Sequence, residues 1–172
     1  MLSNDNIRLR ALEPEDLDII YEWENDMSEW DRGDTLAPYS RYSLKQHIAK
    51  AGQFIYKQNQ LSLMIEQLGT MRRLGMIDLS NIEAHHRKAA IGILIHKTYR
   101  RQGIAAQAIE LMTQYAFNVL LLHQVYGHIA VDNQASLRLF KRCGYEIAGT
   151  LRDWIARPGG YVSVQIVQRL NH

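Results

Sequence analysis

The sequence predicts an α/β domain, of the α+β kind, with a mixed central sheet flanked by helices on both faces. Some segments alternate apolar and polar residues at period two, others repeat apolar residues at helical spacing, and the two kinds follow in the order β-α-α-β-β-β-α-β-α-β-β. A chain of 172 residues suits one domain spanning 1–172.

The opening NIRLRAL alternates Ile7, Leu9 and Ala11 with polar neighbours, which predicts a half-buried strand. Pro14 suits a first helical turn, Glu15 and Asp16 complement its positive end, and Leu17, Ile20, Tyr21 and Glu24 continue at helical spacing. Residues 25–42 mix acids, aromatics, Gly33 and Pro38 without a period, so a loop is expected there. A second helix is expected from Ser43 toward Tyr56, with Leu44, Ile48 and Ala51 on one face. LSLMIEQL and RLGMIDLS predict two strands joined around Gly69 and Thr70, and AAIGILIH adds a third to form a meander.

From Ile104 the pattern is helical, with Ile104, Ala108, Leu111, Met112 and Tyr115 on its apolar face. QVYGHIAV returns to strand through the alternation of Val125, Gly127, Ile129 and Val131. NQASLRLFKRC predicts a short helix stopped by Gly144. YEIAGTLR and YVSVQIVQRL predict two closing strands separated by residues 153–160, and their exposed apolar edges suggest pairing of two copies as a homodimer.

Composition narrows the function. Twenty Lys and Arg against eighteen Asp and Glu leave a net charge of +2, and basic runs extend no further than Arg72-Arg73, Arg87-Lys88 and Arg100-Arg101, so no nucleic-acid partner is expected. The apolar stretch 117–122 is interrupted by Asn118 and too short for a bilayer, and the N-terminus lacks a signal-peptide pattern, so no membrane partner is expected either. Cys143 is the single cysteine and has no disulfide partner, which fits a cytoplasmic setting.

The stretch YRRQGIAAQAIELM, residues 99–112, carries the strongest chemical signal. A strand, a short turn and a helix start bring the amides of Gln102, Gly103, Ile104 and Ala105 toward one point, where the helix dipole favours an anion. Gly103 leaves the backbone open to phosphate oxygens, and Arg100 and Arg101 add mobile positive charge. The same stretch also reads as an ordinary helix start that binds nothing. Neither GxGxxG nor GxxxxGK[ST] is present, which excludes the common dinucleotide and nucleoside triphosphate loops.

AAIGILIHKTYRRQGIAAQAIELMTQYAF resembles the acetyl-CoA-binding segment of the GNAT acetyltransferases, whose signature [R/Q]-x-x-G-x-[G/A] is matched by Arg100-Arg101-Gln102-Gly103-Ile104-Ala105. VDNQASLRLFKRCGYEIAG resembles the second block of that family and ends in its Gly-aromatic pair, Gly144-Tyr145. The whole layout is similar to the branch containing ribosomal-protein N-terminal and spermidine acetyltransferases. The resemblance implies acetyl-CoA as cofactor, with Gln102 to Ala106 holding its diphosphate. It also implies that the strand of Ile93, Leu94 and Ile95 splays from the one starting near His123 and pairs with the pantetheine arm. An oxyanion donor is expected at the N–H of Leu94 or Ile95. Asn133 is expected to contact the cofactor arm, leaving Asp132 as helix cap.

The family tyrosine that protonates the leaving thiolate falls on Phe140, which has no proton to give, so Ser136, a water or unassisted departure of the thiolate is expected instead. Deprotonation of the amine needs an acceptor. Glu66, Asp78, Glu83, His85, His86 and His96 are candidates, with Glu83 preferred and His85 second. The acids Glu24, Asp26, Glu29, Asp31 and Asp34 beside Trp23, Trp30 and Tyr39 suit a cationic amine acceptor, whether a small molecule, a polyamine or a protein N-terminus, and read equally as an ordinary solvated loop. No metal is expected. The alternative is a non-catalytic acyl-CoA-binding module.

Overall fold

The computed structural model describes residues 2–30, 36–51 and 55–172. Seven strands form one sheet in the order β1-β2-β3-β4-β5-β7-β6, with ranges Ile7–Ala11, Leu61–Gln67, Arg73–Glu83, Lys88–Ile95, Gln124–Ala130, Glu146–Arg157 and Gly160–Leu170 for β1 to β7. Every neighbouring pair is antiparallel except β4 and β5, which are parallel and joined by the helix α5, Ile104–Asn118. The remaining helices are α1 (Leu17–Glu24), α2 (Met27–Trp30), α3 (Arg41–Lys50), α4 (Ile55–Gln58) and α6 (Gln134–Arg142).

The strands divide their side chains between two cores, as the period of two requires. Leu63 and Ile65 of β2, Ile77 and Leu79 of β3 and Ile91 of β4 meet Ile104, Ala108, Ile109 and Met112 of α5. On the opposite face Met64 and Met76 meet Ile20 and Trp23 of α1 and Leu44 and Ile48 of α3, and Leu94 is packed at the margin. The second core reaches no farther across the sheet than β4, so β5 carries no helix of this layer.

Several expectations shift in detail. Residues 25–42 include the short helix α2, and Asp31 and Asp34 lie outside the described residues. The second helix starts earlier, at Arg41, because Ser40 accepts the Ser43 N–H at 3.0 Å as N-cap; it stops at Lys50, and α4 is a separate helix. The α5 core face uses Ile109, Ala116 and Phe117, while Leu111 and Tyr115 are only half-buried. Residues 153–157 belong to β6, since an irregularity between Leu151 and Ile155 lets pairing with β7 resume up to the tight turn before Gly160. That hairpin leaves Trp154 and Tyr161 exposed. Among the described residues, no helix is long and apolar enough to cross a membrane.

A charge cluster fixes the start of the chain against the sheet. Asp16 is fully buried and accepts from Arg10, from Arg73 at 2.6 Å and from the Glu13 N–H at 2.9 Å, while Arg10 also pairs with Glu66.

Candidate active site

β4 and β5 form three parallel rungs, Lys88 with Gln124, Ala89 with Val125 and Ala90 with Tyr126, and none beyond. From Ile91 and Gly127 onward the two strands part and leave a wedge in the sheet. The wedge has a chemically defined wall. His96 donates to Leu74 O at 3.0 Å across the β3–β4 ladder, so alternation turns the N–H and C=O groups of Leu94 and Gly92 toward β3 as well. Those of Ile91, Ile93 and Ile95 therefore point into the wedge. Of the two expected oxyanion donors, the Leu94 N–H is turned toward β3, while the Ile95 N–H, like that of Ile93, points into the wedge. The Ile95 carbonyl is engaged by Arg100 Nε at 2.9 Å.

The turn after β4 runs through a 3-10 segment, Lys97–Tyr99, into Arg101 at φ +62° and Gly103 at φ +74°. Gly103 is the N-cap of α5 and carries no capping side chain. Among the described residues, the amides of Gln102, Gly103, Ile104, Ala105 and Ala106 donate to no other protein atom, and the first helical bond belongs to Gln107. A Cβ on Gly103 would meet only Gln107 Nε2, at 4.0 Å, so the concave side of the turn is open. This set of main-chain donors at a helix start fits a diphosphate. Arg101 is exposed above it. Arg100 is not the mobile cation expected: besides Ile95 O it holds Glu29 of α2 at 2.8 Å.

At the far side of the wedge, Asn133 is itself the N-cap of α6, its Oδ1 accepting the Ser136 N–H at 3.1 Å. This corrects the expectation that Asp132 caps the helix. Capping uses only the amide oxygen, so the Asn133 NH2 keeps its donors for a ligand. Phe140 is buried and meets Tyr145 edge to face at 5.0 Å. The Tyr145 hydroxyl is paired with Thr113 Oγ1 at 2.7 Å in the core, and burial pushes its ionisation well above the usual phenol range. Cys143 is buried too, which raises its thiol and leaves it no nucleophilic role.

The preferred proton acceptors lie elsewhere. Glu83 closes the β3–β4 hairpin opposite Lys88, bonded to it at 3.2 Å, and Lys88 is about 13 Å along β4 from Gly92 at 3.3 Å per residue. His85 and His86 meet edge to face, 4.7 Å between ring centroids, in the same exposed turn. His96 is held between Trp23 and Tyr99, its ring 5.9 Å from each. Glu66 is locked between Arg8 and Arg10.

Asp78 lies nearer, on β3, one strand over from the wedge. It stands across from Gly92, on the face that carries α1 and α3, and a Cβ on Gly92 would meet nothing within 4 Å. Burial raises the Asp78 carboxyl, opposed by a Ser62 hydrogen bond and the charge of His47. Glu24, at the end of α1, is raised by burial and by the charge of Asp78. Beside them a small cleft is lined by Trp23, Asp26, Glu29, Leu94, His96 and Arg100. Its two acids are held against the diphosphate turn by Lys97, 3.6 Å from Asp26, and by Arg100. The signal for Asp78 was the alternation of RLGMIDLS, which sets it off the aliphatic face of Ile77 and Leu79.

Residues 6–146 match the Acetyltransferase (GNAT) domain family. The chain belongs to the GNAT acetyltransferases. This GNAT chain is 28% identical to the spermidine N(1)-acetyltransferase of Vibrio cholerae over 165 residues, 94% of this chain and 91% of that one. The corresponding Escherichia coli K12 enzyme is 27% identical over 164 residues, covering 94% and 84%. A crystal structure of the Vibrio cholerae spermidine N-acetyltransferase in complex with CoA and spermine superposes with a TM-score of 0.86 at 28% identity, covering 97% of this chain and 96% of that one. With its single α/β domain, the GNAT chain is an acetyl-CoA-dependent N-acetyltransferase acting on amines.

Proposed function

We propose that the acceptor is a polyamine of the spermidine type, acetylated by direct attack on acetyl-CoA in a ternary complex. One observation carries this reading: Glu24 and Asp78 lie close together with their carboxyls raised, and Asp26 and Glu29 line a cleft next to Trp23. A chain of separated ammonium groups suits acids spread over such a surface, whereas a protein N-terminus brings one charge. The names of the relatives support the same class.

In this scheme the unpaired amides of Gln102 to Ala106 bind the diphosphate, the Ile93 N–H faces the thioester oxygen, and the Asn133 NH2 orients the pantetheine arm. Asp78 accepts the proton of the attacking ammonium; a carboxylate made more basic by burial is a better acceptor than a solvated one. Glu83 and His85 then have no part in proton transfer. The exposed Ile147 and Trp154 on the edge strand β6 are consistent with pairing of two copies, and a cytoplasmic location is consistent with the unpaired Cys143. The test is an acetylation assay over spermidine, spermine, diamines, simple monoamines and N-terminal peptides, read by product mass. Preference for spermidine or spermine supports the reading, and preference for peptides or monoamines overturns it.

A further inference from the structure

β5 carries two side chains that the scheme above does not use. Val125 and Ile129 turn toward the α5 core, so Tyr126 and His128 project from the other face, beyond the reach of α1 and α3. Their rings meet edge to face, 5.5 Å between centroids at 83°. Tyr126 is half-buried and His128 exposed. Tyr126 stands on the last rung before the strands part, opposite Ala90. One pleat further on, the same register sets His128 at the level of Gly92, across the wedge.

Asp78 is directly across Gly92 on the other side. The order over this face is therefore carboxyl, bare glycine, imidazole. With strands about 4.8 Å apart, the Asp78 and His128 backbones lie at least about 10 Å apart. That spacing lets one reacting centre over Gly92 lie between the two side chains.

The opposite face of the wedge offers little to a departing thiolate. The Phe140 ring edge lies 3.8 Å from the place of a Gly127 Cβ and bears no acidic proton. The Tyr145 hydroxyl is bound to Thr113, and the Cys143 thiol is buried. Ser136 has an aliphatic hydroxyl, a weaker acid than the thiol it would have to form. Imidazole is the side chain best suited to exchanging a proton in neutral water.

We propose that His128 protonates the thiolate leaving group, with Tyr126 as a positioning residue that holds its ring over the wedge. The inference rests on the reaction centre placed above between β4 and β5. The amine, having lost its proton to Asp78, gives its lone pair to the thioester carbon and a C–N bond forms. The C–S bond breaks with its electron pair on sulfur. An N–H proton of the His128 imidazolium passes to that sulfur, giving the free thiol and neutral imidazole. As the amide forms, its nitrogen gives its second proton to water, from which His128 regains one, and Asp78 releases its own to water, so one proton is set free per turnover and charge balances over the cycle.

The test compares His128→Ala and His128→Gln with the wild-type chain, using acetyl-CoA with spermidine and with a monoamine panel, and following free thiol and acetylated amine together. Loss of one general acid should lower kcat about 100-fold. Acetyl-CoA affinity by calorimetry should stay within about twofold of wild type, and added imidazole should restore His128→Ala by about tenfold. Tyr126→Phe, which keeps the ring contact, should stay near wild type, while Tyr126→Ala should lower kcat without raising KM. A wild-type kcat in His128→Ala overturns the proposal, as does a loss that imidazole leaves untouched or that follows lost acetyl-CoA affinity. The variant-to-wild-type ratio is read on whichever amine is turned over, so a failure of the polyamine assignment is seen separately, in the wild-type panel.

Discussion

Asp78 and Gly92 face one another across the β3–β4 ladder, one carrying a carboxyl and the other leaving the space beside it clear. The pairing sets the carboxyl proposed as proton acceptor next to the stretch of β4 whose odd-numbered amides point into the wedge.

Asp78→Asn should lower kcat by about 100-fold or more while leaving acetyl-CoA affinity unchanged. Because burial raises the Asp78 pKa, the wild-type rate should climb with pH through that raised value, and this limb should vanish in the variant. The stability effect runs oppositely. A carboxyl that holds its proton more tightly when folded makes the folded state lose ground as pH rises past the unfolded value. Asp78→Asn should therefore raise Tm more at pH 8 than at pH 4, measured by thermal melts in the two buffers.

Glu83→Gln separates the two acid assignments. The Glu83 carboxylate is paired with Lys88 at the hairpin end, so kcat and its pH profile should stay within about twofold of wild type. A lost basic limb in this variant, retained in Asp78→Asn, would return the acceptor role to Glu83.

Gly103→Glu should abolish acetyl-CoA binding in calorimetry by placing a like charge among the diphosphate donors. A side chain at φ +74° should also cost about 1–2 kcal/mol of stability, visible in denaturant unfolding without loss of the fold.

Asp16→Asn should destabilise the chain by about 3–5 kcal/mol, since Arg10 and Arg73 would lose a fully buried partner. Burial alone would raise the Asp16 carboxyl, but hydrogen bonds from Arg10, Glu13 and Arg73 outweigh it and hold it below the usual range. Its stabilisation is then present above the unfolded pKa and lost as pH falls through the lower folded one. An acid titration should show the wild type converging on the variant at low pH.

Tyr145→Phe removes the hydroxyl bound to Thr113 and should cost about 1 kcal/mol of stability. Its kcat and alkaline pH dependence should match wild type, because that phenol faces the α5 core and not the wedge.

Periodicity made most of the fold legible: each of the seven strands and the long α5 show in the spacing of their apolar residues, because one-sided burial imposes that spacing. The turn at Gly103 was legible for a related reason, since a glycine without a capping side chain at a helix start leaves its amides open. The break between α3 and α4 was not legible, nor was the continuation of β6 through Trp154, because local pattern carries no information about which ladder resumes after a bulge. Arg100 read as a free cation because its partners, Ile95 O and Glu29, come from a strand end and a separate short helix.

Taken alone, the residue order determined the layered α/β architecture, the glycine turn with its open amides before α5 and the acidic segment around α1 and α2, since each follows from neighbours close along the chain. Which carboxyl stands across from Gly92, which amides of β4 open into the wedge and which ring of β5 stands level with Gly92 were decided by tertiary structure. Those depend on strand register and on where the parallel rungs end after Ala90 and Tyr126, and register is a relation between segments far apart in sequence.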